Sequence, residues 1–122
     1  MIKLVYCFRK KWGLTDEEFS RYWHEVHGPI SARIPGLRRL VQSHPHVPAL
    51  AMYSPTFDGM AELWFDDLAA LREAKKSPEW GASTADEVHF IDPTYVALFI
   101  TVEKEIAVDV VTDEQCTLAL AM

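Results

Sequence analysis

His27 is the residue of this sequence best suited to proton transfer. It stands at the end of a predicted helix, one turn after Trp23 and at the flank of that helix's apolar stripe. An imidazole in such a place can point into a cleft and exchange a proton near neutral pH. It can equally serve only to cap the helix C-terminus, where a positive charge is favoured. His27 is therefore the candidate catalytic residue, and the structural alternative stays open.

A second set of polar residues lies on a strand predicted at 37–46. Gln42 and His44 fall on the same strand face as Leu40, because side chains two residues apart point the same way. They could project together into one cavity and orient a small ligand. Alternatively, Gln42 bonds neighbouring backbone groups and His44 faces solvent where the strand frays. His46 borders the following loop and is the weaker candidate.

Glu62 is a carboxylate in the middle of an apolar strand predicted at 60–65. Burying a lone charge is costly, so this side chain must be paired, hydrogen-bonded or protonated. It could act as a general acid or base beside His27, or support that histidine, or pair with Arg39 across adjacent strands. We favour support or pairing over direct catalysis. Trp64 is expected to share its strand face.

A metal site is geometrically conceivable, because His24 with His27 and His44 with His46 form two closely spaced pairs. The sequence has no H-E-x-x-H motif, no glycine-rich phosphate loop and no G-x-S-x-G motif. It therefore lends no support to a metalloprotease, a nucleotide-binding protein or a serine hydrolase. We expect no metal.

The first half of the chain predicts a strand followed by a helix. Residues 2–8 are rich in β-branched and aromatic types, which favour a strand. Thr15 and Glu18 form a capping box, and apolar residues at i, i+3, i+4 and i+7 follow it. Gly28 and Pro29 are expected to end this helix, since glycine favours a C-terminus and proline cannot donate to the preceding turn. A short second turn can follow as far as Ile34, before Pro35-Gly36.

The second half continues with two strands, at 37–46 and 60–65, and a helix capped by Asp66 or Asp67. A further helical segment starts at Ser77. Asp92-Pro93 then marks a turn before a last strand at 95–103. The order β-α-β-β-α-β is that of the ferredoxin-like α+β arrangement, with two helices on one face of a four-stranded antiparallel sheet.

The last predicted strand carries apolar residues on both faces, with Leu98 on one and Phe99 on the other. Two helices can cover only one face of the sheet. An uncovered apolar face of this size is uncommon in soluble monomers. A second protomer is the simplest cover, so we expect a homodimer.

Length and composition set the class of protein. A chain of 122 residues fits one domain, and 49% hydrophobic with 25% charged residues is typical of a folded globular protein. The net charge is −6 and the basic residues are scattered, so no nucleic-acid partner is expected. No apolar run approaches the roughly 18 residues of a membrane span. The chain begins as a strand and not as a signal peptide, which predicts a cytoplasmic protein without a membrane partner.

Five motifs occur in order along the chain: F-S-R-Y-W-H-E-V-H-G-P at 19–29, P-G-L-R-R-L-V-Q-S-H at 35–44, D-G-M-A-E-L-W-F at 58–65, S-P-E at 77–79 and F-I-D-P at 90–93. Together they resemble the EthD family of dimeric α+β barrel proteins over about residues 2–105. The resemblance implies one EthD-like domain at 1–105. Residues 106–122 are then a C-terminal tail, apolar enough to pack on its own or the neighbouring protomer.

The resemblance also implies a ligand site. Related barrels include methylmuconolactone methylisomerase and small polyketide-pathway cyclases and dehydratases, which bind compact aromatic or lactone-like ligands between sheet and helices without metal or cofactor. The isomerase's helix-end histidine falls on His27, but its strand tyrosine and cysteine fall on Leu40 and Leu63. The candidate catalytic residues are His27 and Glu62. The candidate substrate-binding residues are Tyr6, Leu40, Gln42, His44, His46, Leu63 and Trp64.

Two functions of different classes follow. One is a cofactor-independent lyase, isomerase or cyclase acting on a small aromatic, lactone or polyketide-like compound in catabolism or secondary metabolism, with His27 moving the proton. The other is a non-catalytic small-molecule-binding accessory protein for an oxygenase pathway. Only the first requires a titrating base.

Overall fold

The computed structural model describes residues 1–110 and shows a four-stranded sheet packed against helices. The strands are β1 (Ile2–Lys10), β2 (Arg39–Ser43), β3 (Gly59–Phe65) and β4 (Ile91–Thr101). The helices are α1 (Asp16–Tyr22), α2 (Gly28–Ser31), α3 (Leu68–Lys75) and α4 (Pro78–Asp86). A π turn at Trp23–His27 joins α1 to α2, and short 3-10 helices lie at Val47–Ala51 and Glu87–His89.

The strands lie in the order β2-β3-β1-β4, and each neighbouring pair is antiparallel. Helical segments follow β1 and β3 in the chain, which completes the β-α-β-β-α-β order. The protein therefore has the ferredoxin-like α+β fold that the sequence predicts. Within residues 1–110, none of the helices has the length and apolarity that crossing a bilayer requires.

Local sequence explains where the helices begin. The Thr15 hydroxyl accepts a hydrogen bond from the Glu18 amide at 3.1 Å, and the Glu18 carboxylate accepts one from the Thr15 amide, so the predicted capping box is confirmed. Asp67 caps α3 by accepting from the Ala70 amide at 2.8 Å. Asp66 instead pairs with a neighbouring arginine. The hydroxyl of Ser77 caps α4.

The expectation that Gly28 and Pro29 break the helix was wrong, whereas a short second helical segment is present as expected, in α2. Gly28 has φ of −52°, a right-handed helical value, and its amide donates to the Trp23 carbonyl across the π turn. Pro29 is the second residue of α2, directly after the π turn, and its fixed φ suits the start of a helical segment. The chain thus continues as a helix through His27 to Ser31.

The last strand begins earlier than predicted and contains the Asp92-Pro93 pair. Phe8 pairs with Val96, whereas Arg9 pairs with Asp92, so β4 bulges between these two points. The proline lies within this irregularity, where the strand need not donate a ladder hydrogen bond. β2 is also shorter than the predicted 37–46.

The inner face of the sheet is the one that packs against the helices. It contributes Leu4, Phe8, Leu63 and Phe65 to a core completed by aromatic residues of the helical layer. Gly59 allows the closest approach: a Cβ there would lie 2.7 Å from Trp23 Cζ3. The indole can therefore lie directly over β3 at the point where the π turn begins.

The open face is the opposite side of the sheet, and no helix among the described residues covers it. Val5 of β1 pairs with Phe99 of β4 there, while Leu98 of β4 points to the inner side. Phe99 is 56% exposed on this uncovered face, and Leu98 is 55% exposed on the inner side of the edge strand β4. Of the predicted tail, residues 106–110 are exposed and form no strand, and 111–122 lie outside the described residues.

Candidate functional site

A cavity of about 570 Å³ lies between the inner face of the sheet and the helices. Its size falls in the range of small-molecule sites. Four of the predicted ligand residues line it from the sheet: Tyr6, Leu40, Gln42 and Leu63. The helical segments contribute Trp23, His27, Ser31, Trp80 and Ser83. The cavity is thus mostly apolar, with its polar groups concentrated on the helical wall.

His27 reaches this cavity from the last position of the π turn. Such turns occur often at functional sites, because the extra residue changes the direction of the side chains that follow. The His27 ring packs on Phe90 with 4.5 Å between ring centroids, and only 8% of the residue is exposed. Packing therefore fixes the plane of the imidazole at the cavity wall.

Both ring nitrogens of His27 have hydrogen-bond partners. Nδ1 lies 2.9 Å from Asp86 Oδ2, and Nε2 lies 3.0 Å from Ser31 Oγ. The Tyr22 hydroxyl donates to Asp86 Oδ1 at 2.6 Å, so both oxygens of this carboxylate accept a hydrogen bond. Because an ionised carboxylate can only accept, Nδ1 carries the proton of the neutral ring. Nε2 is then the basic nitrogen, and it accepts from Ser31.

Burial lowers the pKa of His27, and the hydrogen bond and charge of Asp86 oppose that change without reversing it. The imidazole is therefore mainly neutral at pH 7. A neutral ring with a basic Nε2 can take up a proton, and the adjacent carboxylate would stabilise the resulting cation. The site has the properties of a general base.

Glu87 provides a second titratable group in the same cavity. Burial, followed by the charge of the neighbouring Asp86, raises the pKa of Glu87 to about 7. Burial and the charge of Glu87 likewise raise the pKa of the Tyr6 hydroxyl to about 12. Near neutral pH the Glu87 carboxyl is thus available in both protonation states, whereas Tyr6 keeps its proton.

Gln42 and His44 connect β2 to the π turn. Gln42 Nε2 donates to the Trp23 carbonyl at 2.8 Å, and its Oε1 lies 2.9 Å from His44 Nε2. His44 Nδ1 contacts the Ser20 hydroxyl at 2.7 Å, and its ring stacks on the Trp23 indole. Gln42 therefore lines the cavity and also holds the turn that presents the histidine, while His44 fixes the Gln42 amide.

Glu62 and Trp64 lie on the open face, away from His27. They share that face as predicted, but β3 turns Ala61 and Leu63 toward the helices instead. Glu62 pairs with Lys3 at 2.6 Å rather than with Arg39. This placement corrects the expectation that Glu62 acts beside His27, because the sheet itself separates the two side chains.

Trp64 has its own partners on the open face. Its indole donates to Glu103 Oε1 at 2.8 Å, and the Arg39 guanidinium lies 4.6 Å from the ring centroid. Lys3 lies on the same ring at 5.2 Å. Trp64 therefore does not line the cavity that holds His27, which corrects its predicted role as a ligand residue of that site.

His46 is exposed and lines a separate depression of about 280 Å³ together with His44 and Cys7. It is therefore not part of the His27 cavity, because β2 ends three residues earlier and the chain turns away. His24 and His44 approach to 6.1 Å between ring centroids. Across residues 1–110, no three His, Cys, Asp or Glu side chains are grouped so that they could hold a metal ion.

Several residues of the site were not predicted: Ser31, Ser83 and Glu87, which line the cavity, and Asp86, which bonds His27. Ser31 follows His27 by four residues, a helical spacing that could have revealed it. Asp86 and Glu87 stand at the end of α4, where acidic residues usually face solvent, and only the packing of that helix brings them to the histidine. Their sequence positions carry no comparable signal.

Solved structures of other proteins share this fold. An EthD family protein from Bacillus halodurans is 26% identical, with 85% of this chain and 99% of that one covered and a TM-score of 0.71. A dimeric ferredoxin-like protein from Thermobifida fusca is 15% identical, with 84% and 90% covered and a TM-score of 0.65. The hydroxynitrile lyase from Passiflora edulis is 13% identical, with 87% and 95% covered and a TM-score of 0.65.

The sequence itself matches no curated protein. It does match the EthD domain at residues 11–94, a stretch that contains the π turn, β2, β3 and α4 and therefore both His27 and Asp86. Because this match covers more than half of the chain, the protein belongs to the EthD family.

Proposed function

We propose that the protein is a cofactor-independent lyase, isomerase or cyclase acting on a small aromatic, lactone or polyketide-like compound. The observation that carries the proposal is the position of His27 between Asp86 and Ser31, at the wall of a largely apolar cavity. The likeness to a hydroxynitrile lyase is compatible with it, because that enzyme has the same fold.

The chemical step begins with His27 as a general base. Its Nε2 removes a proton from an acidic C–H or O–H group of the ligand, and Asp86 stabilises the imidazolium through Nδ1. The Ser31 hydroxyl can release Nε2 by turning to Ser83, whose Oγ lies 2.7 Å away. The proton then returns to another ligand atom in an isomerisation, or a leaving group departs in an elimination.

Glu87 is suited to the return of a proton. It lines the cavity with His27, and its raised pKa means that a protonated carboxyl is present near neutral pH. A base and an acid whose pKa values are shifted in opposite directions can act on two atoms of one ligand. We therefore assign proton removal to His27 and proton delivery to Glu87.

We also propose that the active form is a homodimer in which a second copy covers β4. Leu98 lines the cavity although it is more than half exposed, so the cavity is open on the β4 side of a single protomer. A second copy would cover that side together with the exposed open face around Phe99. The dimeric relative from Thermobifida fusca supports this arrangement.

The C-terminal tail provides a second test of the proposed dimer. The described tail side chains Ile106, Val108 and Val110 are apolar and exposed on one protomer. We propose that the 106–122 segment packs on its own or the neighbouring protomer. Truncation after Glu105 should then lower dimer stability in ultracentrifugation more than it changes ligand binding, and unchanged association would contradict this.

Deuterium exchange tests the catalytic proposal with simple compounds that carry an acidic C–H group. A panel of aryl ketones, enol lactones and aromatic 1,3-diketones is incubated with the protein in D₂O, and deuterium incorporation at carbon above the uncatalysed rate is followed by NMR. At least one compound should exchange faster with the wild type, and His27→Gln should slow that exchange by roughly 100-fold or more.

The matched control is His24→Gln, which removes an exposed histidine from the same π turn and should leave exchange unchanged. Exchange that persists in a folded His27→Gln protein would contradict the role of His27. Binding of a panel compound without any exchange would instead indicate the non-catalytic accessory protein.

A further inference from the structure

The His27 imidazole is hydrogen-bonded on one side to the Ser31 hydroxyl and on the other to the Asp86 carboxylate. The Ser31 Oγ to His27 Nε2 distance is 3.0 Å, and the His27 Nδ1 to Asp86 Oδ2 distance is 2.9 Å. Such a series is recognised by geometry and not by sequence order, because it recurs on unrelated folds. The absence of a G-x-S-x-G motif therefore does not exclude it.

The hydrogen bonds have a consistent direction. Ser31 is only 5% exposed, and its Oγ lies 2.7 Å from the Ser83 hydroxyl. If Ser83 donates to Ser31, the Ser31 proton is left to point at His27 Nε2, which Asp86 makes the acceptor. The Ser31 oxygen is thus placed beside a base that can remove its proton, and both serines line the cavity.

From this geometry we propose that Ser31 is a nucleophile that accepts an acyl group from a small ester or lactone bound in the cavity. This acyl-transfer activity goes beyond the proton transfer proposed above. It uses the same His27–Asp86 pair but requires, in addition, the hydroxyl of Ser31.

The step conserves atoms and charge. Ser31 Oγ forms a bond to the carbonyl carbon while its proton passes to His27 Nε2, and Asp86 stabilises the imidazolium. The carbon–oxygen bond to the alcohol or phenol then breaks, and that oxygen leaves with the proton from His27. Water attacks the Ser31 ester in the second half, giving its proton to His27, and the acid and the free Ser31 hydroxyl are regenerated.

Two further groups of the cavity can stabilise negative charge on the carbonyl oxygen. The Lys75 ammonium and the Thr84 hydroxyl both line it, from α3 and α4 respectively. The Lys75 ammonium lies 5.9 Å from the ring centroid of Trp80, another lining residue. Both residues are exposed on a single protomer, so they act as donors of this kind where the ligand and the covering second copy exclude water.

Covalent labelling tests the proposal. The full chain is treated with p-nitrophenyl acetate and, separately, with a small alkyl fluorophosphonate, and adducts are located by intact mass and peptide mapping. The wild type should gain one adduct on Ser31. Ser31→Ala should gain none there, and His27→Gln should slow labelling by roughly 100-fold. Ser54→Ala, which removes an exposed serine, should label as the wild type does.

Near-UV circular dichroism confirms that each variant is folded, and Ser31→Thr, which keeps a hydroxyl, should retain part of the labelling. Adducts only on lysines or on other serines would overturn the proposal. So would the absence of any Ser31 adduct in a wild type that still catalyses deuterium exchange, and the proposed function would then stand without it. Labelling of Ser31 without deuterium exchange would overturn the proposed function and leave the acyl transfer.

Discussion

His27 and Asp86 are 59 residues apart in the chain, yet the Nδ1 and Oδ2 atoms of their side chains lie 2.9 Å apart. The aspartate raises the pKa of His27, in opposition to burial. Asp86→Asn should therefore lower the pKa of His27 further and weaken proton transfer by ~10²-fold or more. NMR titration of the His27 ring protons measures the first effect, and the pH profile of deuterium exchange measures the second.

We expect Tyr22→Phe to shift the pKa of His27 in the opposite direction to Asp86→Asn. The Tyr22 hydroxyl donates to the other oxygen of Asp86, and its removal leaves a carboxylate that interacts more strongly with His27. The pKa of His27 should then rise, while the fold is retained. If the pKa of His27 fell in both Asp86→Asn and Tyr22→Phe, the Asp86 carboxylate would act on His27 through the structure and not through its charge.

Glu87 should make stability fall as pH rises. Its pKa is about 7 in the folded protein against an ordinary value of 4.5, so the folded state binds more protons than the unfolded state between these values. Its contribution is therefore fully present below pH 4.5 and is lost as pH rises to about 7. Because the side chain is partly exposed, we expect Glu87→Gln to be more stable at pH 8 by only about 1 kcal/mol.

Thermal unfolding at several pH values tests this. The difference between Glu87→Gln and the wild type should vanish near pH 4.5, and the exposed Glu105→Gln is the control. An equal difference at pH 4.5 and pH 8 would refute the assignment.

Two glycines should respond in opposite ways to alanine. Gly59→Ala would place a Cβ 2.7 Å from the Trp23 indole and should cost roughly 1–3 kcal/mol of unfolding free energy. Gly81 lies within α4 with open space around it, so Gly81→Ala should stabilise by about 0.5–1 kcal/mol. Denaturant unfolding of both variants provides the measurement, and equal effects would contradict the packing of Trp23 on β3.

Phe99→Glu should disrupt the proposed dimer. Phe99 lies on the open face of β4 and is 56% exposed on one protomer, so a charge there is tolerated by the monomer but not by a covering partner. Val88→Glu, at a position 63% exposed outside the sheet, is the control. Sedimentation should give a monomer or aggregate for the first variant and a dimer for the second. A wild-type monomer at micromolar concentration would refute the dimer.

The features predicted well from the sequence are those determined by neighbouring residues. The capping box of Thr15 and Glu18 and the serine cap at Ser77 depend on residues within one turn, so their spacing is sufficient evidence. Strand alternation likewise predicts that Glu62 and Trp64 share a face. It does not say which face the helices cover, because that depends on how the helices pack.

In the candidate site, too, the sequence predicts what depends on neighbouring residues and misses what depends on the packing of distant elements. His27 could be proposed from its place at the end of an amphipathic helix, but its partner Asp86 is brought to it only by the packing of α4 against α2. The π turn was also missed, since Gly28 and Pro29 are typical of a helix end and equally compatible with the first turn of a new helix. The local sequence pattern therefore cannot distinguish the end of a helix from the start of a new one.

The π turn makes the site sensitive to the number of residues between α1 and α2, and not only to the identity of His27. Each residue of an α-helix turns the chain by about 100°, so a π turn has the effect of one inserted residue. Deleting a single residue from Trp23–His27 would let one ordinary α-helix run from Asp16 to Ser31, and its second half would be rotated by about 100° from its present position. Ser31 would then point away from α4 while β2 still held the Trp23 carbonyl. We therefore expect family variation in this segment to occur by substitution at the exposed positions His24, Glu25 and Val26, with single-residue gaps and insertions confined to the loops on either side.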